Sequence, residues 1–123
     1  MIAGIGIDLV ELDRIDTLVK RQPDFVNRIL TTKEINRYET LSNHRQIEFL
    51  AGRFSAKEAF AKAMGTGIGE TVSFLDIEVL SDEKNKPIMQ SALFNGFIHV
   101  SISHSKTYAI AQVILKNRKT CCA

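Results

Sequence analysis

The feature that most constrains the fold is a long stretch of helical apolar spacing in the middle of the chain. Between Ser42 and Met64, apolar residues recur at intervals of three and four, the period that places them on one side of an α-helix. They are Ile47, Leu50, Ala51, Phe54 and Ala61. Ser42 is a residue type that caps helix starts, and Gly65 stands where a helix commonly ends in left-handed backbone. The sequence therefore predicts one long central helix.

The residues before this helix predict a strand followed by short helices. Residues 2–10 are rich in β-branched residues and glycine, which is typical of a strand. Residues 12–19 follow a helical spacing that ends before Pro23, and residues 25–30 can form one more helical turn. Thr31 with Glu34 has the form of a capping box, which predicts a further helix running to residue 41.

After Gly65 the hydrophobic period changes from that of helices to that of strands. We expect a strand over residues 72–80, a turn, a short helix within 88–95, and two strands over 98–103 and 108–115. The last strand is apolar on both faces, so we expect it to be covered on both sides, and a chain this short favours an oligomer interface there. The order of one strand, several helices and three strands predicts an α+β fold.

Composition excludes several classes of protein. The chain has 123 residues, which fits a single domain, and its net charge of +2 is too small to indicate nucleic-acid binding. It has no apolar run long enough for a membrane span and no basic, apolar leader, so we expect a cytoplasmic protein without a membrane partner. Cys121 and Cys122 are adjacent and cannot frame a disulfide scaffold or a tetrahedral metal site.

Three segments carry polar residues that a simple core would not choose. Asp8 follows directly on an apolar strand, although an acid there can also be solvated or cap the next helix. Glu58 and Lys62 are four apart and share a helix face among small and apolar residues, although such pairs are commonly surface pairs. His104 ends an alternating strand between two serines, which suits phosphate binding or proton transfer, or it is simply exposed.

Taken together, these segments resemble a known family. The strand GIGIDLVEL, the helix RFSAKEAFAKAMGTG and the strand SISHS, in that order, are similar to holo-acyl carrier protein synthase, the short bacterial type of 4′-phosphopantetheinyl transferase. The resemblance runs from Gly4 to Leu115, and the helix pattern F-x-x-K-E-A-x-x-K-A-x-G is its most specific part. Where the family often has Gly-Lys-Pro, this chain has Asn85-Lys86-Pro87, and asparagine tolerates left-handed backbone.

The resemblance implies a fold, an assembly and a reaction. The fold would be a small antiparallel sheet packed with a long helix, in a homotrimer whose sites lie between subunits. The reaction would move 4′-phosphopantetheine from coenzyme A to a serine of apo-acyl carrier protein. It implies that Asp8 and Glu58 hold Mg²⁺, an ion that commonly takes one or two carboxylates and fills its other positions with water and phosphate oxygens.

The resemblance also assigns candidate roles around the ion. Lys62 would act with Asp8 and Glu58 as a cation on the diphosphate, and either Glu58 or a metal-bound water could take the serine proton. Five further residues are candidates for contacts with coenzyme A: Arg53, Lys57, Gly65, His104 and Ser105.

A basic face on the first helix is the candidate docking surface for the acidic carrier protein. Arg14, Leu18, Arg21 and Gln22 lie at spacings of three and four, and Phe25 and Arg28 extend the patch. Arginine binds carboxylates well, and opposite charge speeds encounter. An ordinary solvated basic surface is the alternative.

Two other functions remain open from the residues alone. The same acids and lysine could serve a magnesium-dependent hydrolase of coenzyme A or nucleotide diphosphates. The basic residues could instead belong to a non-catalytic module for an acidic partner or a nucleic acid. Against the nucleic acid, the sequence has neither RNA-binding aromatic motifs nor a strongly basic stripe.

Overall fold

A computed structural model describes residues 1–118 of the chain. The chain forms the α+β arrangement that the sequence predicts, with one long helix against a small antiparallel sheet. The elements are β1 (Ile2–Glu11), α1 (Leu12–Arg21), α2 (Phe25–Ile29), α3 (Thr32–Tyr38), α4 (Asn43–Ala63), a 3₁₀ turn (Phe74–Asp76), β2 (Glu78–Ser81), β3 (Pro87–Gln90), β4 (Gly96–His104) and β5 (Tyr108–Asn117). Across residues 1–118, no helix is long and apolar enough to cross a bilayer.

The main sheet has three antiparallel strands in the order β1-β5-β4, and β2 with β3 forms a separate hairpin. One face of β5 packs on α4 through four buried residues, Ala109, Ala111, Val113 and Leu115. The facing side of α4 carries small buried residues such as Ala56, Ala59 and Ala63, which let helix and sheet approach closely. This packing places the C-terminal half of α4 directly over the sheet.

Two glycines bring β1 into backbone contact with α4. A Cβ atom on Gly6 would lie 1.9 Å from the carbonyl oxygen of Ala59, and one on Gly4 would lie 2.1 Å from that of Ala63. No other residue type leaves room for this approach. The contact sets the position of Asp8, two residues further along β1, against the later turns of α4.

Two of the local signals at helix ends are confirmed, but Ser42 stands at the start of α4 without a side-chain cap hydrogen bond, and α3 ends at Tyr38 rather than at residue 41. The capping box is present, since Thr31 accepts from the Glu34 backbone N–H and the Glu34 carboxylate accepts from the Thr31 N–H. Gly65 follows α4 with φ of +83°, the left-handed geometry expected at a helix end.

Two expectations after Gly65 were wrong. Of residues 72–80, only the end is a strand, because Phe74–Asp76 forms a 3₁₀ turn whose Asp76 carboxylate accepts from the Ser73 N–H at 3.0 Å. Within residues 88–95 there is a strand rather than a helix. Asn85 adopts φ of 63° and turns the chain back, so that β3 pairs with β2. Four strands therefore follow the helices instead of three.

The second face of the main sheet is not covered by any part of residues 1–118. On β5, Tyr108 and Ile110 are 43% and 37% exposed, and on β1 the side chains of Ile5, Ile7 and Leu9 are 54–57% exposed. The expectation that β5 is covered on both sides is therefore not met by the described part of one chain. A contiguous apolar face of this kind marks an interaction surface.

Candidate active site

The structure brings the three predicted catalytic residues together. The Lys62 ammonium donates to Asp8 Oδ1 at 3.0 Å and to the Ile7 carbonyl at 3.1 Å. Lys62 lies one turn after Glu58 on α4, and the glycine contacts hold the end of β1 beside that turn. The site is therefore built on one helix and one strand that pack closely on each other.

Glu58 lies close enough to Asp8 for the two carboxylates to influence each other. Burial raises the pKa of Glu58, and the negative charge of Asp8 raises it further, while Lys62 and Arg14 lower it. The raised pKa shows that a second negative charge beside Asp8 is unfavourable in the absence of a cation. When both carboxylates are ionised, they concentrate negative charge at one place. A cation is the natural partner of such a site.

The donor set fits magnesium better than a transition metal. Among residues 1–118, no group of three or more histidine, cysteine, aspartate or glutamate side chains forms a metal-binding cluster. Two carboxylates without a third protein ligand leave most positions to water and substrate oxygens, which is the usual arrangement for Mg²⁺. Asp8 and Glu58 are thus the residues that could hold this ion.

A basic cavity lies at the other end of α4. It measures about 290 Å³, and its wall includes Arg53 and His104, both predicted to contact coenzyme A. Arg37 from α3 and Arg45 from the first turns of α4 also line it. Sequence reasoning missed these two arginines, because neither belongs to a motif and only the packing of α3 on α4 brings them together. Glu48 is an acid on the same wall, but the three arginines outnumber it, so the charge of the wall suits an anionic ligand.

Arg53 is held in this cavity by an aromatic ring. Its guanidinium carbon lies 4.1 Å from the centre of the Phe49 ring, a cation–π contact, and Nη2 is 3.5 Å from Ser81 Oγ. Its Nε is buried, with no hydrogen-bond partner among the described residues. Burial lowers the pKa of Arg53; the charge of Glu34 opposes this change, and Arg37 adds a smaller lowering.

His104 is oriented by a carboxylate. Its Nδ1 lies 3.3 Å from Glu48 Oε2, and 49% of its side chain is exposed. Glu48 also lies near His44 and Arg45, at 3.5 and 3.8 Å. The pairing gives His104 a fixed place on the wall of the basic cavity.

The prediction that Lys57 contacts a nucleotide phosphate is contradicted. Its side chain is fully buried, with Nζ 2.6 Å from Glu34 Oε1 and 2.6 Å from the Ile29 carbonyl. Burial lowers its pKa, and the adjacent Glu34 charge opposes that change. On α4, Lys57 points into the protein while Glu58 and Lys62 point toward Asp8, a difference that the motif alone does not show.

The two other predicted coenzyme A contacts have visible structural roles. Gly65 is exposed and ends α4. The Ser105 hydroxyl accepts from the N–H groups of Thr107 and Tyr108 at 3.2 and 3.1 Å, which fastens the β4–β5 turn. Their contacts with a nucleotide stay predictions.

The candidate docking face is present in part. Four of its residues are exposed, Arg14, Arg21, Gln22 and Arg28, and Leu18 is half-buried. Phe25 is only 8% exposed, because its ring packs on Phe54 with centroids 6.2 Å apart. Phe25 is therefore part of the core, which corrects its assignment to the docking surface.

Comparison with known proteins gives a consistent picture. The sequence profile of the 4′-phosphopantetheinyl transferase superfamily matches residues 4–114. A holo-[acyl-carrier-protein] synthase of Anoxybacillus flavithermus is 59% identical over 116 residues, covering 94% of this chain and 97% of the relative. One of Exiguobacterium sibiricum is 57% identical over 120 residues, covering 98% and 93%.

Solved structures agree in fold. The holo-(acyl-carrier-protein) synthase of Bacillus anthracis, crystallised in complex with CoA (3′,5′-ADP), superposes with a TM-score of 0.91 at 52% identity, covering 96% of this chain and 99% of that one. The Helicobacter pylori synthase, in complex with coenzyme A, gives 0.82 at 35% identity, covering 91% and 99%. This chain therefore belongs to the 4′-phosphopantetheinyl transferase superfamily, among its holo-acyl carrier protein synthases.

Proposed function

We propose that this enzyme transfers 4′-phosphopantetheine from coenzyme A to a serine of apo-acyl carrier protein, releases adenosine 3′,5′-bisphosphate, and requires Mg²⁺. The observation that carries the proposal is the convergence of Asp8, Glu58 and Lys62 at one place on the surface. Two acids and a lysine beside them suit a diphosphate held through a cation.

The chain's own residues position the reactants and balance charge. Asp8 and Glu58 would hold Mg²⁺, which when bound neutralises charge on the diphosphate. Lys62, with half of its side chain exposed, can donate to the oxygen that departs with the nucleotide. Two groups are candidates to accept the serine proton, the Glu58 carboxylate and a water molecule beside it.

The basic cavity would bind the nucleotide phosphates of coenzyme A. Arg53 and His104 were predicted for this role, and Arg37 and Arg45 add two charges to the same wall. Arginine forks match phosphate oxygens in geometry as well as charge. A buried Arg53 Nε without a partner among residues 1–118 is a donor that such a ligand can satisfy.

The assembly proposed for this site is a homotrimer. The wall of the basic cavity includes none of the three residues Asp8, Glu58 and Lys62, so one chain presents the two halves of the site separately. A neighbouring copy would cover the exposed apolar face of β1 and β5. The basic cavity of one chain would then lie beside Asp8 and Glu58 of the next chain. Burial of that face would supply the driving force.

The carrier protein would dock on the exposed basic residues of α1 and α2. Arg14 lowers the pKa of Glu58, which supports a docking face near the two acids. Acyl carrier proteins are acidic, which favours encounter with a basic surface. The proposal includes a cytoplasmic role in fatty acid biosynthesis.

A mass measurement tests the proposal. Apo-carrier protein, coenzyme A and MgCl₂ are incubated with the enzyme, and the carrier mass is followed over time. We expect a gain of one phosphopantetheine group, and no gain when Asp8→Asn replaces the wild type or when EDTA replaces the metal. Consumption of coenzyme A without a carrier mass gain would show a hydrolase instead. Binding of coenzyme A without consumption would show a non-catalytic module.

A further inference from the structure

The buried ammonium of Lys57 joins three helices at one point. From its place on α4 it donates to the Ile29 carbonyl, at the end of α2, and to Glu34 Oε1 on α3, both at 2.6 Å. Neither Lys57 nor Glu34 exposes any side-chain surface. The contact lies inside the protein, one residue before Glu58 in the sequence.

Glu34 extends this connection to the β2–β3 hairpin. Its Oε1 also accepts from the Thr31 N–H at 2.8 Å, and its Oε2 accepts from the Val79 N–H on β2 at 2.7 Å. A single carboxylate therefore receives three donors from three different parts of the chain. Both oxygens of the carboxylate are therefore paired, and these bonds fix direction as well as distance.

Stability alone is a weak reason for this pair. Two charges lose their hydration when they are buried, and well-packed apolar residues of similar volume often stabilise a fold as well or better. The pair does something that apolar residues cannot do, which is to hold the end of α2 at one place through a directional bond. Helix α2 carries Arg28 of the proposed docking face, and α4 carries Glu58.

We propose that Lys57 and Glu34 are positioning residues that hold α2 in register with α4, so that a carrier protein docked on α1 and α2 presents its serine to Asp8 and Glu58. This inference rests on the proposed function. It assigns to Lys57 a role in the use of the protein substrate and none in binding coenzyme A. Loss of the pair should therefore impair the kinetics with the carrier protein and leave KM for coenzyme A unchanged.

The experiment compares Lys57→Met, Glu34→Gln and the double variant, in the full-length enzyme. Each is measured for KM and kcat with apo-carrier protein and for KM with coenzyme A, and its thermal midpoint is recorded. The double variant removes both buried charges, so its thermal midpoint should return toward that of the wild type. We expect its kcat/KM for the carrier to stay about 10-fold or more below wild type, with KM for coenzyme A unchanged.

A matched core variant separates positioning from general destabilisation. Leu115→Ala makes a cavity under the main sheet, where it touches neither α2 nor α3. It should lower the thermal midpoint without a change in KM for the carrier. If Lys57→Met does not fold, Glu34→Gln still gives the comparison, since it removes one charge and keeps the side-chain shape.

Three results would overturn the inference. The inference fails, and the proposed function stands, if the wild type transfers phosphopantetheine and the double variant has the thermal midpoint and the carrier kinetics of the wild type. The same holds if Leu115→Ala raises KM for the carrier as much as the substitutions at Lys57 and Glu34 do. Absence of any transfer by the wild type would overturn the proposed function, and the inference with it.

Discussion

The ammonium of Lys62 lies 3.0 Å from the carboxylate of Asp8, and this contact joins residues 54 positions apart in the sequence. Asp8 is 14% exposed and Lys62 is 50% exposed, so the pair is anchored on the strand side and open to solvent on the helix side. A ligand phosphate can therefore reach Lys62 without disturbing β1. The pair also keeps a positive charge beside the two acids.

Replacing Lys62 should slow the chemical step. Lys62→Met removes a cation that can stabilise the departing oxygen, and we expect kcat to fall by about 100-fold, the usual cost of losing one such donor. Steady-state kinetics measure this. The exposed Lys33, on α3, supplies the matched Lys33→Met control, which should keep the wild-type rate. A normal kcat for Lys62→Met would remove this residue from the mechanism.

Neutralising Glu58 should stabilise the metal-free protein at neutral pH. Because its pKa is raised, the folded protein keeps the Glu58 proton to higher pH than the unfolded chain does. Stability is therefore lost as pH rises from the ordinary glutamate value through the raised one, and ionised Glu58 is a cost at pH 7. Glu58→Gln should raise the thermal midpoint at pH 7, with the difference vanishing below pH 4.

Glu58→Gln also tests whether Glu58 binds Mg²⁺. Added MgCl₂ should raise the thermal midpoint of the wild type by mass action, and it should do so less for Glu58→Gln. In the wild type this metal-induced rise should grow as pH passes upward through the raised pKa of Glu58, because the cation binds the ionised carboxylate. Equal rises in both proteins at all pH values would argue against Glu58 as a ligand.

Adding a methyl group at Gly6 should destabilise the fold. Its Cβ would meet the Ala59 carbonyl oxygen at 1.9 Å, so β1 and α4 must move apart. We expect Gly6→Ala to lower the free energy of unfolding by about 3 kcal/mol, at the upper end of overpacking costs. Gly69→Ala is the control, since no atom of the described residues, other than its chain neighbours, lies within 4 Å of its added Cβ. Urea unfolding of both variants gives the comparison.

Reversing the charge of Arg21 should weaken use of the carrier protein. We expect Arg21→Glu to raise KM for the carrier about 10-fold while KM for coenzyme A stays constant, and added salt should weaken the wild-type interaction. Lys84→Glu makes the same net charge change on the β2–β3 turn and should leave the carrier KM unchanged. Equal effects of both substitutions would place the docking face elsewhere.

The apolar face of the main sheet predicts the state of assembly. Sedimentation of the wild type should give three times the mass of one chain. Ile7→Asp puts a charge on this face and should give smaller species without transfer activity, since the site would be divided between subunits. Ile88 is also exposed, at 45%, but it lies on the separate hairpin. Ile88→Asp should therefore leave the assembly intact.

Local patterns in the sequence predicted the parts of this protein that depend on neighbouring residues. The central helix, the capping box at Thr31 and the left-handed Gly65 are all confirmed, because each depends on residues within one or two turns. The motif residues Asp8, Glu58 and Lys62 also lie close together in the fold. The short segments were harder, and residues 88–95 were wrong because pairing with β2 decided their conformation.

Tertiary packing decided which side of each element faces the interior. Lys57 and Glu58 are adjacent in the motif, yet only Lys57 is enclosed, because Glu34 is present on α3 to meet its charge. Phe25 was expected on the docking face and lies in the core, where Phe54 covers it. Arg37 and Arg45 reach one cavity through the contact of α3 with α4. Periodicity fixes which residues share a face, but the partner of that face depends on residues far away in the chain, and only the folded structure brings them together.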